Sequence, residues 1–211
     1  KINNKWNSLN VISENASSVG SFDLGIYNLT NHTNQLLKDV NSHRYDVIFL
    51  LGQDNLKFKK ENEFIIYQGS HGDNGAEIAD IILPGAAYTE QNGYYTNLEG
   101  KLQKAYKSSY PPNEAKEDWE IINEIAESIN HRKLFNDKEE LESSLLNYLN
   151  LFKKENILKK HSNIHNLDFI EEKIEINNID YYYSNVVARA SKTMFHCRNE
   201  KVKENSNAVK N

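Results

Sequence analysis

Three unbroken apolar runs punctuate the first half of the chain. "VIFLLG" covers Val47 to Gly52, "FIIYQG" covers Phe64 to Gly69, and "IILPG" covers Ile81 to Gly85. None shows the in–out alternation of a half-solvated strand. Runs of this kind are buried on both faces, the habit of parallel strands covered by helices. Each leads into a glycine-containing loop, where positive φ and close backbone approach are permitted. Open parallel sheets place ligand crevices at those carboxyl ends. The pattern therefore predicts an α/β fold, part of a doubly wound (Rossmann-like) parallel sheet domain with a crevice. After it, "GYYTNLEGKLQ" predicts a hairpin, Tyr94 to Asn97 against Lys101 to Gln103, with Glu99 and Gly100 in the turn.

Helical spacing frames these strands. "NKWNSLNVISENASSVG" puts Trp6, Leu9, Ile12 and Ala16 on one face, flanked by Val11 and Val19, with Gly20 as the stop. "TNQLLKDVNSH" predicts a second helix capped by Thr33 or Asn34. Beyond it, Pro111 and Pro112 break the chain, and Asn113 or Asp118 is placed to cap "DWEIINEIAESIN". That helix carries Trp119, Ile122, Ile125, Ala126 and Ile129 on its apolar face. "DKEELESSLLNYLNLF" is a further helix, opened by acids that suit a helix N-terminus. From Lys153 the periodicity weakens, and an extended tail is expected. Within it "VVARASKTMFHCRNE" is a short ordered piece and "KVKENSNAVKN" a frayed end. The division that follows is 1–110 as the α/β portion, 111–152 as a helical segment and 153–211 as the tail.

Composition narrows the function classes. The 211 residues carry a net charge of -5, which leaves no basic surplus for phosphates and argues against a nucleic-acid partner. Hydrophobic content of 38% and charged content of 26% are ordinary for a soluble protein. Cys197 is the single cysteine, so an internal disulfide and a cysteine-held cluster or zinc site are both excluded. No apolar run approaches the roughly 20 residues of a membrane helix, so no direct membrane insertion is expected. The chain opens on Lys1 with no signal peptide or presequence pattern, as expected of a processed start or a piece of something longer.

Candidate chemistry concentrates between Tyr67 and Gln103, which holds Gly69, Gly72, Gly75, Gly85, Gly93 and Gly100. His71 with Asp73 has the composition of an acid–base pair. The flanking glycines favour a turn instead, with Asp73 capping a short helix from Ala76 to Ala79. Glu90 follows the Pro84–Ala87 loop, and both a structural carboxylate and a ligand contact stay open for it. His161 and His165 stand four apart, a metal spacing on a helix, but "HSNIH" is polar and has no third ligand nearby, so no metal site is assigned. "GSHGDNG" lacks both the GK[ST] ending and the GxGxxG spacing of phosphate loops. Tyr181 to Tyr183 read as interface anchors rather than a base-stacking platform. No catalytic set emerges.

The stretch "YQGSHGDNGAEIADIILPGAAYTEQNGYYTNLEGKLQ" resembles the large iron–sulfur subunit of respiratory complex I, NADH:ubiquinone oxidoreductase. Within it "IADIILPGAAYTEQNGYYTNLEGKLQ" is similar to the molybdopterin oxidoreductase family at large. "WNSLNVISENASSVGSFDLG", "EDWEIINEIAESI" and "ARASKTMFHC" extend the narrower resemblance over nearly the whole chain, least clearly from Phe135 to Asn185. The resemblance implies the carboxyl-terminal end of the molybdopterin-oxidoreductase-like region, a scaffold without molybdopterin. It places iron–sulfur clusters and FMN in neighbouring chains and implies no cofactor, metal or catalytic residue here. The implied partners are the cluster-bearing amino-terminal half of the subunit on another chain and the other subunits of the peripheral arm. The implied place is the matrix side of the mitochondrial inner membrane, or the cytoplasmic face of a bacterial one. A competing expectation is the cofactor-binding lobe of an active molybdopterin enzyme, for which Gly69, His71, Asp73, Glu90 and Gly93 would be the contacts. A stand-alone nucleotide-binding module is a third, weakened by the missing phosphate loop.

Overall fold

The computed structural model describes residues 12, 15–26, 32–53, 58–156 and 180–208. Trp6, Leu9, Val11, His161 and His165 lie outside the described residues. The three apolar runs form β1 (Val47–Leu51), β2 (Phe64–Gly69) and β3 (Ile81–Pro84), a parallel sheet in the order β1-β2-β3. The molecule is thus an α/β protein, as the runs predict.

Register separates the two faces. Val47 pairs with Phe64, Phe49 with Ile66, and Ile66 with Ile81, so these five project to one side. Ile48, Leu50, Ile65 and Tyr67 project to the other and make the core, against Phe58 from the β1–β2 connection and Ala76, Ile78 and Ala79 from the β2–β3 connection. The second connection carries a one-turn helix at Asn74–Glu77. Successive parallel strands in unbroken order, joined right-handedly, send every connection over the same face. Only that face is covered from within this stretch.

Here the expectation of burial on both faces fails. Val47 is 59% exposed, Phe49 41%, Leu51 52%, and Phe64 and Ile81 43% each. Continuous apolar runs report the two layers a parallel sheet requires, while the connections on hand supply one. Gln68 is the exception on the open face, because the start of the helix after Glu117 covers it.

At the amino-terminal end of the sheet, Glu63 is 4% exposed and holds the chain entering β2. Its carboxylate accepts the Glu61 N–H at 2.7 Å and contacts His43 Nδ1 at 2.5 Å. The Glu61 amide above all, then its own amide and His43, lower its pKa from 4.5 to about 2. A carboxylate favoured by the fold stabilises above the unfolded pKa and ceases to do so as pH falls through the folded one. Melting temperature is therefore expected to drop between about pH 4.5 and about 2. Glu63→Gln should flatten that part of a circular-dichroism melting series; an unchanged slope would contradict the assignment.

The remaining elements surround the sheet. α1 (Ser18–Asp23) lies against the hairpin and runs through Gly20, whose carbonyl accepts the Leu24 N–H. Gly20 therefore does not stop the helix. α2 (His32–Asn41) starts one residue before Thr33, and Val40 is its buried residue. With α3 as the Asn74–Glu77 turn, the hairpin is β4 (Gly93–Thr96) against β5 (Leu102–Ala105), from Gly93↔Ala105 to Thr96↔Leu102. Asn97 Oδ1 accepts the Glu99 and Lys101 amides, and Gly100 takes φ +77° in that turn.

α4 (Asp118–Asn130) is capped by Glu117 in a reciprocal box with Glu120, so neither Asn113 nor Asp118 is its cap. Its buried residues are Ile121 and Asn123, whereas Ile122 and Ile129 of the expected face stand exposed. Asn123 explains the rotation. Its amide oxygen accepts the Leu134 and Phe135 N–H groups, and its amide nitrogen donates to the Phe135 carbonyl at 2.9 Å, closing the turn into α5. α5 (Lys138–Asn156) runs past the expected end of the helical segment at 152. Lys138 pairs with Glu117, and Glu142 accepts Lys104 at 2.6 Å and Tyr94 Oη at 3.1 Å, tying the hairpin to the helix. These partners hold the Glu142 carboxyl below its ordinary pKa, chiefly through Lys104.

Of the expected tail, 157–179 lies outside the described residues, and 180–208 is ordered beyond both ends of the short piece expected from Val186 to Glu200. A 3-10 turn (Tyr181–Tyr183) leads into α6 (Val186–Ala190) and α7 (Lys192–Ala208). Asp180 accepts the Tyr182 amide and Arg198 Nε, and the Arg198 guanidinium lies 4.7 Å from the Tyr183 ring centroid. The "KVKENSNA" end expected to fray is helical through Ala208. Among the described residues no helix is long and apolar enough to cross a membrane.

Candidate functional site

A crevice of about 610 Å³ opens where β2 and β3 end. Ser70 and His71 follow β2 on one side, and Pro84, Gly85, Ala87 and Glu90 follow β3. The third wall is Pro112–Ala115, the segment leading to α4. It is held by main-chain bonds: Ala86 donates to the Lys116 carbonyl at 2.8 Å, and Lys116 donates to Pro84 at 3.1 Å. The location is where an open parallel sheet offers a ligand site.

The candidate side chains are largely committed to the protein itself. A His71 ring nitrogen lies 3.0 Å from Ser70 Oγ, and the His71 carbonyl accepts Tyr67 Oη at 2.6 Å. Asp73 precedes α3 in extended conformation, but its side chain makes no cap bond. Its carboxylate accepts Arg189 Nε at 2.8 Å, from α6 far along the chain. The His71–Asp73 pair is therefore not assembled. The turn is present where expected, with the helix at Asn74–Glu77 rather than Ala76 to Ala79.

Glu90 faces the crevice, yet its Oε2 accepts the Ala87 N–H at 2.9 Å while its own amide donates to the Ala87 carbonyl. Of the two roles left open for Glu90, the structural one is observed. Gly69 lies beneath the crevice, its carbonyl accepting the Gly85 amide at 3.0 Å. Gly93 sits in β4 opposite Ala105, away from the lining. Among the five candidates, His71 and Glu90 meet at the crevice; Asp73 and Gly93 do not line it.

Two features of the site have little or no signal in the sequence. Gln68, fully buried, donates to Asp118 Oδ1 at 2.9 Å, and Gln91 reaches Asp118 Oδ2 at 3.3 Å, joining β2, the loop after β3 and α4. For this cluster a lone glutamine inside an apolar run is the available clue. The Arg189–Asp73 pair has none. Among the described residues no three His, Cys, Asp or Glu side chains gather as a metal site. Cys197 is exposed on α7.

With this geometry in place, similarity to known proteins defines the class. The model of the molybdopterin oxidoreductase family matches residues 1–128, and the chain belongs to that family. Within it the chain is similar to one kind of subunit. It is 35% identical over 91% of its length to the NADH-ubiquinone oxidoreductase 75 kDa subunit of Reclinomonas americana. It is 38% identical over 91% to an NADH-quinone oxidoreductase subunit of Rickettsia bellii. It is 34% identical over 92% to the mitochondrial NADH-ubiquinone oxidoreductase 78 kDa subunit of Candida albicans. The chain spans about 28% of the length of each of these relatives.

A family named for a phosphate-bearing pterin raises the question of fit. Such a group requires cations or an array of backbone amides at its phosphates. Among the described residues the crevice is lined by Glu90 and Glu114 and by no lysine or arginine. The one-turn α3 has Asp73 at its head, paired with Arg189. These residues do not fit the cofactor.

Proposed function

We propose that this chain is a noncatalytic structural portion of proton-pumping NADH:ubiquinone oxidoreductase, respiratory complex I. It scaffolds the NADH-oxidising module of the peripheral arm. Its sheet is part of a doubly wound domain, and its partners are the cluster-bearing amino-terminal half of the same subunit and the other subunits of the peripheral arm. Iron–sulfur clusters and FMN belong to neighbouring chains, and none is held here. The complex stands on the matrix side of the mitochondrial inner membrane, or the cytoplasmic face in a bacterium.

The observation that carries the reading is the crevice itself. It stands where a sheet of this kind binds ligands, but Glu90 and Asp73 are spent on Ala87 and Arg189, and among the described residues the lining carries no lysine or arginine. Similarity over 91% of the chain to NADH-ubiquinone oxidoreductase subunits supplies the context. On native gels of membrane extracts the chain should migrate with NADH dehydrogenase activity. Migration apart from that activity, or stoichiometric pterin fluorescence in the purified particle, would overturn the proposal.

A further inference from the structure

The crevice at the carboxyl ends of β2 and β3 does not fit a phosphate-bearing cofactor, but its lining suits a ligand of the opposite charge. Two carboxylates line it, Glu90 and Glu114, and among the described residues no lysine or arginine does. Lys116, the cation next along the third wall, is paired with Glu124 at 2.6 Å instead. Only one oxygen of Glu90 is engaged: Oε2 accepts the Ala87 N–H at 2.9 Å, and Oε1 takes no hydrogen bond from the described residues. Ser70 and Asn113 add a hydroxyl and an amide to the lining, both with acceptor oxygens.

Acidic side chains alone would not make a site. Here they stand in a pocket with an aliphatic half and a fixed frame. Pro84, Ala87, Pro112 and Ala115 supply the apolar surface. Gly85 and Ala87 are buried, Glu90 is half-buried and Glu114 is exposed, so the carboxylates run from the interior to the rim. The walls are tied together by the chain itself. Gly85 donates to the Gly69 carbonyl at 3.0 Å, Ala86 to the Lys116 carbonyl and Lys116 to Pro84, while Tyr67 Oη holds the His71 carbonyl at 2.6 Å. Small-molecule sites are pre-formed concavities of about 300–1,000 Å³ that combine apolar walls with a few placed polar groups. At about 610 Å³ the crevice has room for a whole small molecule rather than a single side chain.

Charge and shape together restrict the ligand. Carboxylates in a partly desolvated pocket call for charged donors and reject other anions. A guanidinium meets a carboxylate through paired N–H groups, and a methylene stem lies well against proline and alanine. We propose that the crevice binds a small aliphatic guanidinium or ammonium compound. Its cationic head sits at Glu90 within the field of Glu114, and its stem lies along Pro84, Ala87, Pro112 and Ala115. This ligand is additional to the scaffold role and does not rest on it.

Isothermal titration of the full chain with n-butylguanidinium is the test, with 1-butanol as the uncharged stem. Saturable binding of the guanidinium and none of the alcohol is expected. Glu90→Gln keeps an amide oxygen for the Ala87 N–H, so the double variant with Glu114→Gln should fold yet bind about tenfold more weakly or worse. Glu114→Gln alone, at an exposed position, should weaken binding about threefold. Glu99→Gln, in the hairpin turn and outside the lining, should bind as the unsubstituted chain does, which separates the crevice from net charge. The intact native particle should show the same variant-sensitive binding. Absence of saturable binding, equal binding of the alcohol, full affinity in the glutamine variants, or an equal loss with Glu99→Gln would overturn the proposal. So would loss of the site in the particle, where a neighbour's side chain would then fill it. Migration of the chain apart from NADH oxidation bears on the scaffold role alone.

Discussion

Replacing Tyr67 with alanine is expected to lower the unfolding free energy by about 3–5 kcal/mol, the cost of emptying an aromatic site in a packed core. Tyr67 is 2% exposed, sits with Leu50 and Ile65 in the small core, and donates its hydroxyl to the His71 carbonyl at 2.6 Å. Both halves of the side chain matter. The ring fills the layer between β2 and the β2–β3 connection, and the hydroxyl fixes the loop at the crevice. Tyr67→Phe separates them: it keeps the ring and loses one hydrogen bond, about 1 kcal/mol. Urea unfolding followed by far-UV circular dichroism measures both, and an alanine variant no worse than the phenylalanine one would refute the account. Domains of this size hold a margin of about 5–15 kcal/mol, so the alanine variant sits near the edge of folding.

Gly75→Ala carries the second large effect, and its sign is informative. Gly75 lies inside α3. Helix propensity alone would make alanine better by about 1 kcal/mol. Close approach argues the other way. A Cβ at Gly75 would stand 2.7 Å from the Gln53 main-chain oxygen and 2.9 Å from Tyr67 Cδ2. The carbonyl belongs to the loop after β1 and the ring to the core, so neither yields easily. Overpacking of this kind costs about 1–3 kcal/mol, and it should outweigh the propensity gain. The substitution is therefore expected to destabilise in the same urea assay. A net stabilisation would mean that the α3 turn is free to shift outward.

The parallel strands were legible because short apolar runs ending in glycine suit few elements besides buried strands. The hairpin was legible from its alternation and from Glu99-Gly100. What the residues did not disclose was how many layers this chain supplies. The runs in β1 and β3 carry the composition of strands covered twice, whereas the connections among the described residues lie over one face. α4 misled for a related reason. Its apolar spacing suggested Ile122 and Ile129 as inward, while the turn bonds of a single polar residue, Asn123, set the helix rotation. At the crevice, local chemistry was legible and long-range pairing was not. Glycine-flanked Asp73 does stand in a turn, but its side chain leaves the following helix uncapped, and nothing near it announced Arg189. α7 runs through a polar, weakly patterned segment, and periodicity gives no signal where no face is apolar.

The strand Val47–Leu51 has a further meaning for handling the protein. An apolar β edge is a template for self-association until something pairs with it. Among the described residues β1 pairs with β2 alone, so a concentrated preparation of this chain is expected to stack edge to edge unless that strand is covered.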